Sequence, residues 1–404
     1  MPILFQINSV VNSGSTGRIV EDISNIAVAN GWDSYIAYGR WEYNSQSKLI
    51  KVGSIVDIYA HGLISRLFDK HGLGSKKSTL KLLKIIQDIK PDIIHLHNIH
   101  GYYINYALLF DYLSKINIPV VWTLHDCWPI TGHCSYFDYL KCDKWVKYCN
   151  LCPQIFSYPK SLFCDRSERN YYDKKKYFTS VDKMVLVPVS DWLLNIIDHS
   201  FLNMYPKKRI YNGIDLSQFY IKDVREFVFE SYKINTEYLI LGVANIWDLR
   251  KGFNDFIKLR ELLPSNFMIV LVGISKQQKR NLPKGIIGIQ RTDTISKLTD
   301  LYCAADIYLN LTYEDNFPTT NLEALACGTP VITYRTGGSV ESVTTDVGMI
   351  VDQGDFSNLV DSINTIIHNG KEKYASFCRQ KALMEYSKKD RFYEYFELYN
   401  EILM

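Results

Sequence analysis

The stretch Asp306–Glu341, DIYLNLTYEDNFPTTNLEALACGTPVITYRTGGSVE, constrains the fold of this chain more than any other. Ile307–Leu311 has the length and composition of a buried strand, and it runs into an acidic turn at Glu314, Asp315 and Asn316. A helix opens near Pro318 and carries Glu323, and a Gly328-Thr329-Pro330 break leads to a second strand, Val331–Tyr334, with a Gly337-Gly338 turn behind it. A strand, a crossover helix and a strand imply parallel pairing. In an open parallel sheet, ligands bind at the carboxyl ends of the strands. A helix start there offers unpaired N–H groups and a positive dipole end to an anion. Pro318 suits a first turn, where its missing N–H costs nothing. An ordinary polar loop on a βαβ unit reads the same way, so the remainder of the chain decides.

The chain begins with a strand, Ile3–Asn8, then a small-residue loop, Asn12–Arg18, containing Gly14, Ser15, Thr16 and Gly17, then a helix, Ile19–Asn30. Strand, Gly-rich loop and helix let backbone N–H groups approach a ligand closely. Ser34–Gly39 reads as a strand and residues 41–75 as a long variable connection. Asp92–His97 and Ile118–Leu124 read as strands ending in His97 and in His125-Asp126, which would face one sheet edge together with the Gly loop. His97 fits a core histidine better than a site residue, and His125 the reverse. Residues 160–180, with Arg166, Arg169 and Lys174–Lys176, read as a solvated helix face, with contact to an anionic membrane surface or a pyrophosphate carrier as the alternative. Tyr211–Asp215 is a turn and residues 216–236 a linker. The second half restarts at the strand Tyr238–Val243, which ends in Arg250-Lys251-Gly252 before a helix from Phe253. Two cations at a strand-to-helix turn make a diphosphate clamp. Gln290 and Arg291 end another strand, at the place expected for a base-facing loop.

With 404 residues the chain exceeds one ordinary domain and suggests two. Its formal net charge of +3 argues against a general grip on nucleic acid. The first residues, MPILFQINSV, read as a buried strand and not a signal peptide, which points to a cytoplasmic protein. Five of the nine cysteines fall between Cys127 and Cys152. Cys134, Cys142, Cys149 and Cys152 are spaced C-x7-C-x6-C-x2-C. That spacing in a reducing compartment points to structural zinc more than to disulfides, with free buried thiols as the alternative.

Assembled, these residues resemble the retaining family-4 glycosyltransferases of the GT-B fold, in particular those of colanic-acid, capsule and O-antigen clusters. The resemblance spans nearly the whole chain. Its most specific part is Glu314 to Glu323, EDNFPTTNLE, which is similar to the family's E-x7-E motif. Alignment on Phe317, Pro318 and Glu323 puts Asp315 at the first acidic position, and Glu314 is one residue too far, so both stay candidates. Tyr211–Asp215 resembles the family's NGID turn, Arg250-Lys251-Gly252 its basic phosphate turn, Asn12–Arg18 its N-terminal Gly loop, and Thr123-Leu124-His125 the strand end with the active-site histidine. The Cys-rich block, about 127–164, resembles an insert of the colanic-acid subset. One departure is that the place of a frequent family arginine falls near Asn245.

The resemblance implies an α/β fold of two Rossmann-like parallel-sheet domains facing a cleft: 1–217 on the acceptor side, 218–386 on the donor side, and a C-terminal helix, 387–404, crossing back to the first domain. It implies a hexosyl transfer with retention from a UDP- or GDP-sugar, with no catalytic metal, to a lipid-linked or oligosaccharide acceptor. The enzyme would work in the cytoplasm, in peripheral contact with the inner membrane. His125 and Asp315 or Glu314 would be catalytic. Gly14–Gly17, Arg250, Lys251, Gln290, Arg291, Asn316, Phe317, Pro318, Thr319, Thr320 and Glu323 would hold the donor, with Glu323 on the ribose hydroxyls. Another GT-B enzyme, such as a sugar-phosphate synthase, and a non-catalytic glycan-binding scaffold are the competing readings. Product analysis with sugar phosphates, and donor hydrolysis by the isolated chain, discriminate them.

Overall fold

The structure, a computed structural model, describes residues 1–404. The chain forms two six-stranded sheets. The first contains β1 (Ile3–Asn8), β2 (Asp33–Tyr38), β3 (Lys48–Lys51), β4 (Ile93–Leu96), β5 (Val120–Leu124) and β6 (Met184–Pro188), in the order β3-β2-β1-β4-β5-β6. The second contains β7 (Tyr238–Val243), β8 (Phe267–Val272), β9 (Ile286–Ile289), β10 (Ile307–Asn310), β11 (Val331–Tyr334) and β12 (Gly348–Val351), in the order β12-β11-β10-β7-β8-β9. Every pair is parallel. Parallel strands covered on both faces read as continuous apolar runs. Leu4, Phe5 and Ile7 of β1 and Leu239–Leu241 of β7 are accordingly fully buried.

Both sheets start in the middle and reverse direction there. The first strand of each lies beside the fourth, β1 beside β4 and β7 beside β10, so each sheet has a switch point where two loops diverge. By compactness the chain divides into one unit of Met1–Tyr211 with Phe392–Met404, and another of Asn212–Arg391. The last helix, Lys388–Leu403, buries Phe392, Tyr395 and Tyr399 against Leu4, Ile93, Val121 and Val187 of the first sheet. The Tyr399 hydroxyl lies 2.6 Å from His95 Nδ1, and the Tyr395 hydroxyl bonds Thr123.

Three expectations change. Residues 41–75 are not an open connection: they hold β3 and a helix, Ile55–Phe68. The Ser54–Asp57 capping box starts that helix, and its apolar residues are too widely exposed to leave a normal amphipathic signal. Gly14–Gly17 is not a loop but the first turn of the helix Gly14–Ala29, entered through Gly14 at φ +63°. The linker 216–236 contains a short helix, Arg225–Ser231, whose Arg225 forks onto Asp306.

Candidate active site

The second sheet concentrates its charged residues at its switch point. The loop after β7 carries Arg250 and Lys251, and the loop after β10 carries Glu314–Pro318. The two loops are knitted together. Tyr313 N–H and the Thr312 hydroxyl donate to the Arg250 carbonyl, and Arg250 Nη1 donates to the Glu314 carbonyl at 2.8 Å. Lys251 Nζ pairs with Asp315 Oδ2 at 2.5 Å, with both side chains about one-fifth exposed. Two glycines permit this closeness. Gly252 stands at φ +72° against the Leu311 carbonyl, and Gly337 at φ +46° against the Asp315 carbonyl, where any Cβ would collide.

The helix Thr319–Ala326 starts at Pro318 with no side-chain cap, so its first N–H groups remain available at that edge. It is pinned from behind. Asn321 accepts from Asn310 of β10 at 2.8 Å and donates to Ser342 at 3.0 Å, and the Thr320 hydroxyl bonds that of Tyr308. Glu323, one turn in, is 8% exposed and accepts from the Tyr302 hydroxyl at 2.9 Å. Burial and the Glu323 carboxylate together raise the Tyr302 phenol, so this bond donates in one direction. Phe317 packs edge-on to Tyr386, and its carbonyl accepts from Asn212 of the NGID turn. Glu314 is buried, whereas Asp315 reaches the lysine. Gln290 and Arg291 are exposed beyond β9, which β8 separates from β7, about 10 Å across the sheet.

The first sheet presents a neutral chain instead. Gln6 Nε2 donates to the Val20 carbonyl and to Ser24, which leaves its oxygen as the acceptor from His97 Nε2 at 2.9 Å. His97 Nδ1 then carries the lone pair and takes the proton of His125 Nε2 at 3.3 Å. The network thus assigns both tautomers and leaves His125 Nδ1 as an acceptor. Burial is the main force that holds His125 at about 4, so it is neutral at pH 7. Next to it, His100 Nε2 lies 3.0 Å from Asp126 Oδ2. Burial works to raise the Asp126 carboxyl, but His100 and the Trp128 N–H outweigh it and keep it below the usual range. Gly14 and Ser15 are exposed at the helix start, Thr16 is half-buried, and a Cβ on Gly17 would press Val10 and the Asn12 N–H.

Sequence reasoning missed Gln6 and Tyr302, and read Asn212 only as part of a turn. A glutamine inside the apolar run ILFQIN was the available signal for Gln6, since a polar residue in a central strand needs partners. Tyr302 left none. His97, read as a core residue, is buried but bonded to His125.

All nine cysteines are free thiols. Cys134, Cys142, Cys149 and Cys152 line one cavity of about 20 Å³, and the Cys134 and Cys152 thiols bond each other. No group of three or more His, Cys, Asp or Glu side chains is arranged to hold a metal, so the zinc expected from the spacing has no ready-made site. Lys174, expected on a solvated face, is buried instead. It donates to the Trp128 and Thr131 carbonyls at 2.6 and 2.9 Å, and burial lowers it to about 7.

Comparison with known proteins agrees with this architecture. Residues 16–218 match the model of Glycosyltransferase Family 4, and residues 224–383 that of Glycosyl transferases group 1. WcaC of Escherichia coli (strain K12), named for glycosyl transfer in colanic acid biosynthesis, is 24% identical over 88% of this chain and 89% of its own length. Sucrose-phosphate synthase of Thermosynechococcus elongatus superposes with a TM-score of 0.74 at 16% identity, covering 100% of this chain and 99% of that one. Anabaena Alr3699/HepE, solved with UDP, gives 0.68 at 15% identity, covering 99% and 100%. Two parallel sheets of identical strand order, each matched by its own family model, place this chain in Glycosyltransferase Family 4, with the GT-B fold.

Proposed function

We propose that this chain transfers a hexose, with retention, from a UDP- or GDP-sugar to a lipid-linked saccharide during surface polysaccharide assembly. The observation that carries the reading is the convergence of Lys251, Asp315, Glu323 and an uncapped helix start on the loops after β7 and β10. Breaking the anomeric bond leaves negative charge on the diphosphate. Fixed positive groups where that charge develops lower the barrier, each by ~3 kcal/mol when water is excluded. Lys251 and the N–H groups of Thr319 and Thr320 at the uncapped helix start supply them, with Arg250 bracing the loop. In the free protein Asp315 neutralises Lys251, so an arriving diphosphate takes over the ammonium and frees Asp315 for the sugar. Glu323 accepts hydrogen bonds from the ribose hydroxyls, held in place by Tyr302. His125 is the acceptor-side group, neutral and of fixed tautomer.

Both the naming of WcaC for colanic acid biosynthesis and the UDP in HepE support this reading of donor and pathway. The test is a panel of UDP-, GDP- and ADP-sugars with a lipid-linked acceptor, followed by NMR of the product's anomeric centre. Product of retained configuration is expected. Inverted product, or turnover only with sugar-phosphate acceptors, overturns the proposal. The spacing of Cys134, Cys142, Cys149 and Cys152 remains the support for a structural zinc, a separate proposal that requires the thiols to rearrange around the metal and is tested by metal analysis of the purified protein.

A further inference from the structure

Two cysteines meet behind Glu323. The last turn of the helix Ile295–Ala304 contains Tyr302 and Cys303, and Cys327 follows the helix Thr319–Ala326, one turn after Glu323. These two helix ends are tied together. Tyr302 donates to Glu323 at 2.9 Å, and its carbonyl accepts from the Thr329 hydroxyl at 2.6 Å. The Cys303 and Cys327 thiols bond each other beside these contacts, and sugar transfer calls on neither sulfur.

The surroundings of the pair are those of a reactive thiol. Cys303 and Cys327 line an opening of about 510 Å³ at the amino ends of β7 and β10, where Lys222 and Lys371 line it too. Cys303 is 9% exposed and Cys327 is 1% exposed, so the first faces solvent and the second stands behind it. As a thiol, Cys303 donates to the Tyr220 carbonyl at 3.2 Å. As a thiolate it accepts from the Cys327 S–H and the Lys222 N–H and feels the Lys371 and Lys222 ammonium charges, which draw it down to about 7 against burial. Burial and the bond to Cys303 push the Cys327 thiol well above its ordinary range, so Cys327 keeps its proton. Lys371 is fixed in place by the Cys303 and Ala305 carbonyls, at 2.6 and 2.7 Å. A thiolate beside cations, reachable from solvent and backed by a second thiol, is the arrangement that peroxides oxidise to a disulfide.

We propose that Cys303 and Cys327 form a reversible disulfide when hydrogen peroxide enters this opening, and that the bridge weakens nucleotide binding by displacing Glu323. The Cys303 thiolate attacks one peroxide oxygen, the O–O bond breaks, and the departing hydroxide takes a proton from solvent and leaves as water. The Cys327 sulfur then attacks the sulfenic acid left on Cys303. The S–S bond forms, the S–O bond breaks, and a second water leaves with the Cys327 proton. Two thiols have lost two electrons, and one peroxide has become two waters. The covalent bond holds the sulfurs about 2 Å apart, well inside hydrogen-bonding separation. Closing that gap pulls the Tyr302–Cys303 turn against the end of the Glu323 helix, and the Tyr302–Glu323 bond is the contact it disturbs. The coupling rests on the reading of Glu323 as the ribose ligand, and the bridge itself does not.

Trypsin leaves both cysteines, and no others, in one peptide, Leu298–Arg335. After treatment of the full chain with hydrogen peroxide, that peptide is expected to resist alkylation and to be lighter by two hydrogens, and a dithiol reductant should restore both thiols. Calorimetric titration with UDP or GDP, whichever the reduced chain binds, should show affinity about 10-fold lower in the oxidised chain and recovered on reduction. Cys303→Ser keeps a donor to the Tyr220 carbonyl, so it should bind as reduced wild type does and not respond to peroxide. A peptide that stays alkylatable in peroxide-treated wild type, unchanged affinity in the bridged protein, or the same loss in peroxide-treated Cys303→Ser overturns the proposal. If reduced wild type binds no nucleoside diphosphate, the reading of the donor site fails and the coupling with it, whereas the peptide map still decides the bridge.

Discussion

The two sheets share one strand order and use their switch points in different ways. Beside β7 and β10 the loops carry full charges, and Lys251 reaches Asp315 across a contact that two glycines permit. Beside β1, β4 and β5 the groups form a neutral relay, Gln6 to His97 to His125, with burial keeping the imidazoles uncharged. A fixed charge suits a ligand that gains charge during reaction, whereas a neutral relay of fixed tautomer suits hydroxyls that must be oriented. On the proposed function, the same backbone architecture would serve two kinds of recognition, and the difference lies in which side chains the loops carry.

The comparison breaks most readily on the charged side. Lys251→Ala and Glu323→Ala should each lower transfer about 100-fold or more, in kcat/KM measured with the preferred donor. Near-normal rates in either would move the chemistry elsewhere. Gly337→Ala forces a Cβ into the Asp315 carbonyl at a positive φ, and it should weaken nucleotide binding about 10-fold by opening the loop. Calorimetric titration reads this, and unchanged affinity would mean the loop contact is incidental.

On the neutral side the effects are smaller. His125→Ala should lower turnover about 10-fold and leave nucleotide affinity intact. An equal loss of both would make His125 structural. The pH dependence follows from burial. His61 and His125 are each held at about 4, below the 6.5 of the unfolded chain. The unfolded state therefore binds protons first as pH falls. Their contribution is fully present above pH 6.5 and is lost as pH drops toward 4, on the order of 3 kcal/mol for each. Denaturant titrations across that window should show falling stability, with a shallower slope for His61→Gln. A flat profile would contradict the buried neutral imidazoles.

Strand periodicity was legible in the sequence because parallel strands are apolar on both faces: β1, β7 and β11 fall on Ile3–Asn8, Tyr238–Val243 and Val331–Tyr334, as expected. The helix Ile55–Phe68 was not, because its outer face breaks the rule that apolar residues point inward. The Gly14–Gly17 segment looked like a loop because glycine is a poor helix former, yet Gly14 enters a helix through a left-handed residue. At the site, residues that sit in short recognisable stretches, Lys251 in one and Asp315 and Glu323 in another, could be named as candidates in advance. Partners brought in from distant strands and helices, such as Tyr302 on Glu323 and Gln6 on His97, exist only once the sheet is assembled. The cysteine spacing shows the converse: it gathers four thiols around one cavity without arranging them as ligands. Stoichiometric zinc in the purified protein would sharpen that point, and metal-free protein of unchanged stability would end it.

The central claim is that the loops after β7 and β10 hold a nucleoside diphosphate through its phosphates. Calorimetric titration with UDP, GDP and the corresponding nucleosides tests it most directly, using wild type and Lys251→Ala. Wild type is expected to bind one diphosphate at least ~10-fold more tightly than its nucleoside, and Lys251→Ala to lose most of that difference. Equal binding of diphosphate and nucleoside by wild type, or an unchanged preference in Lys251→Ala, would contradict it.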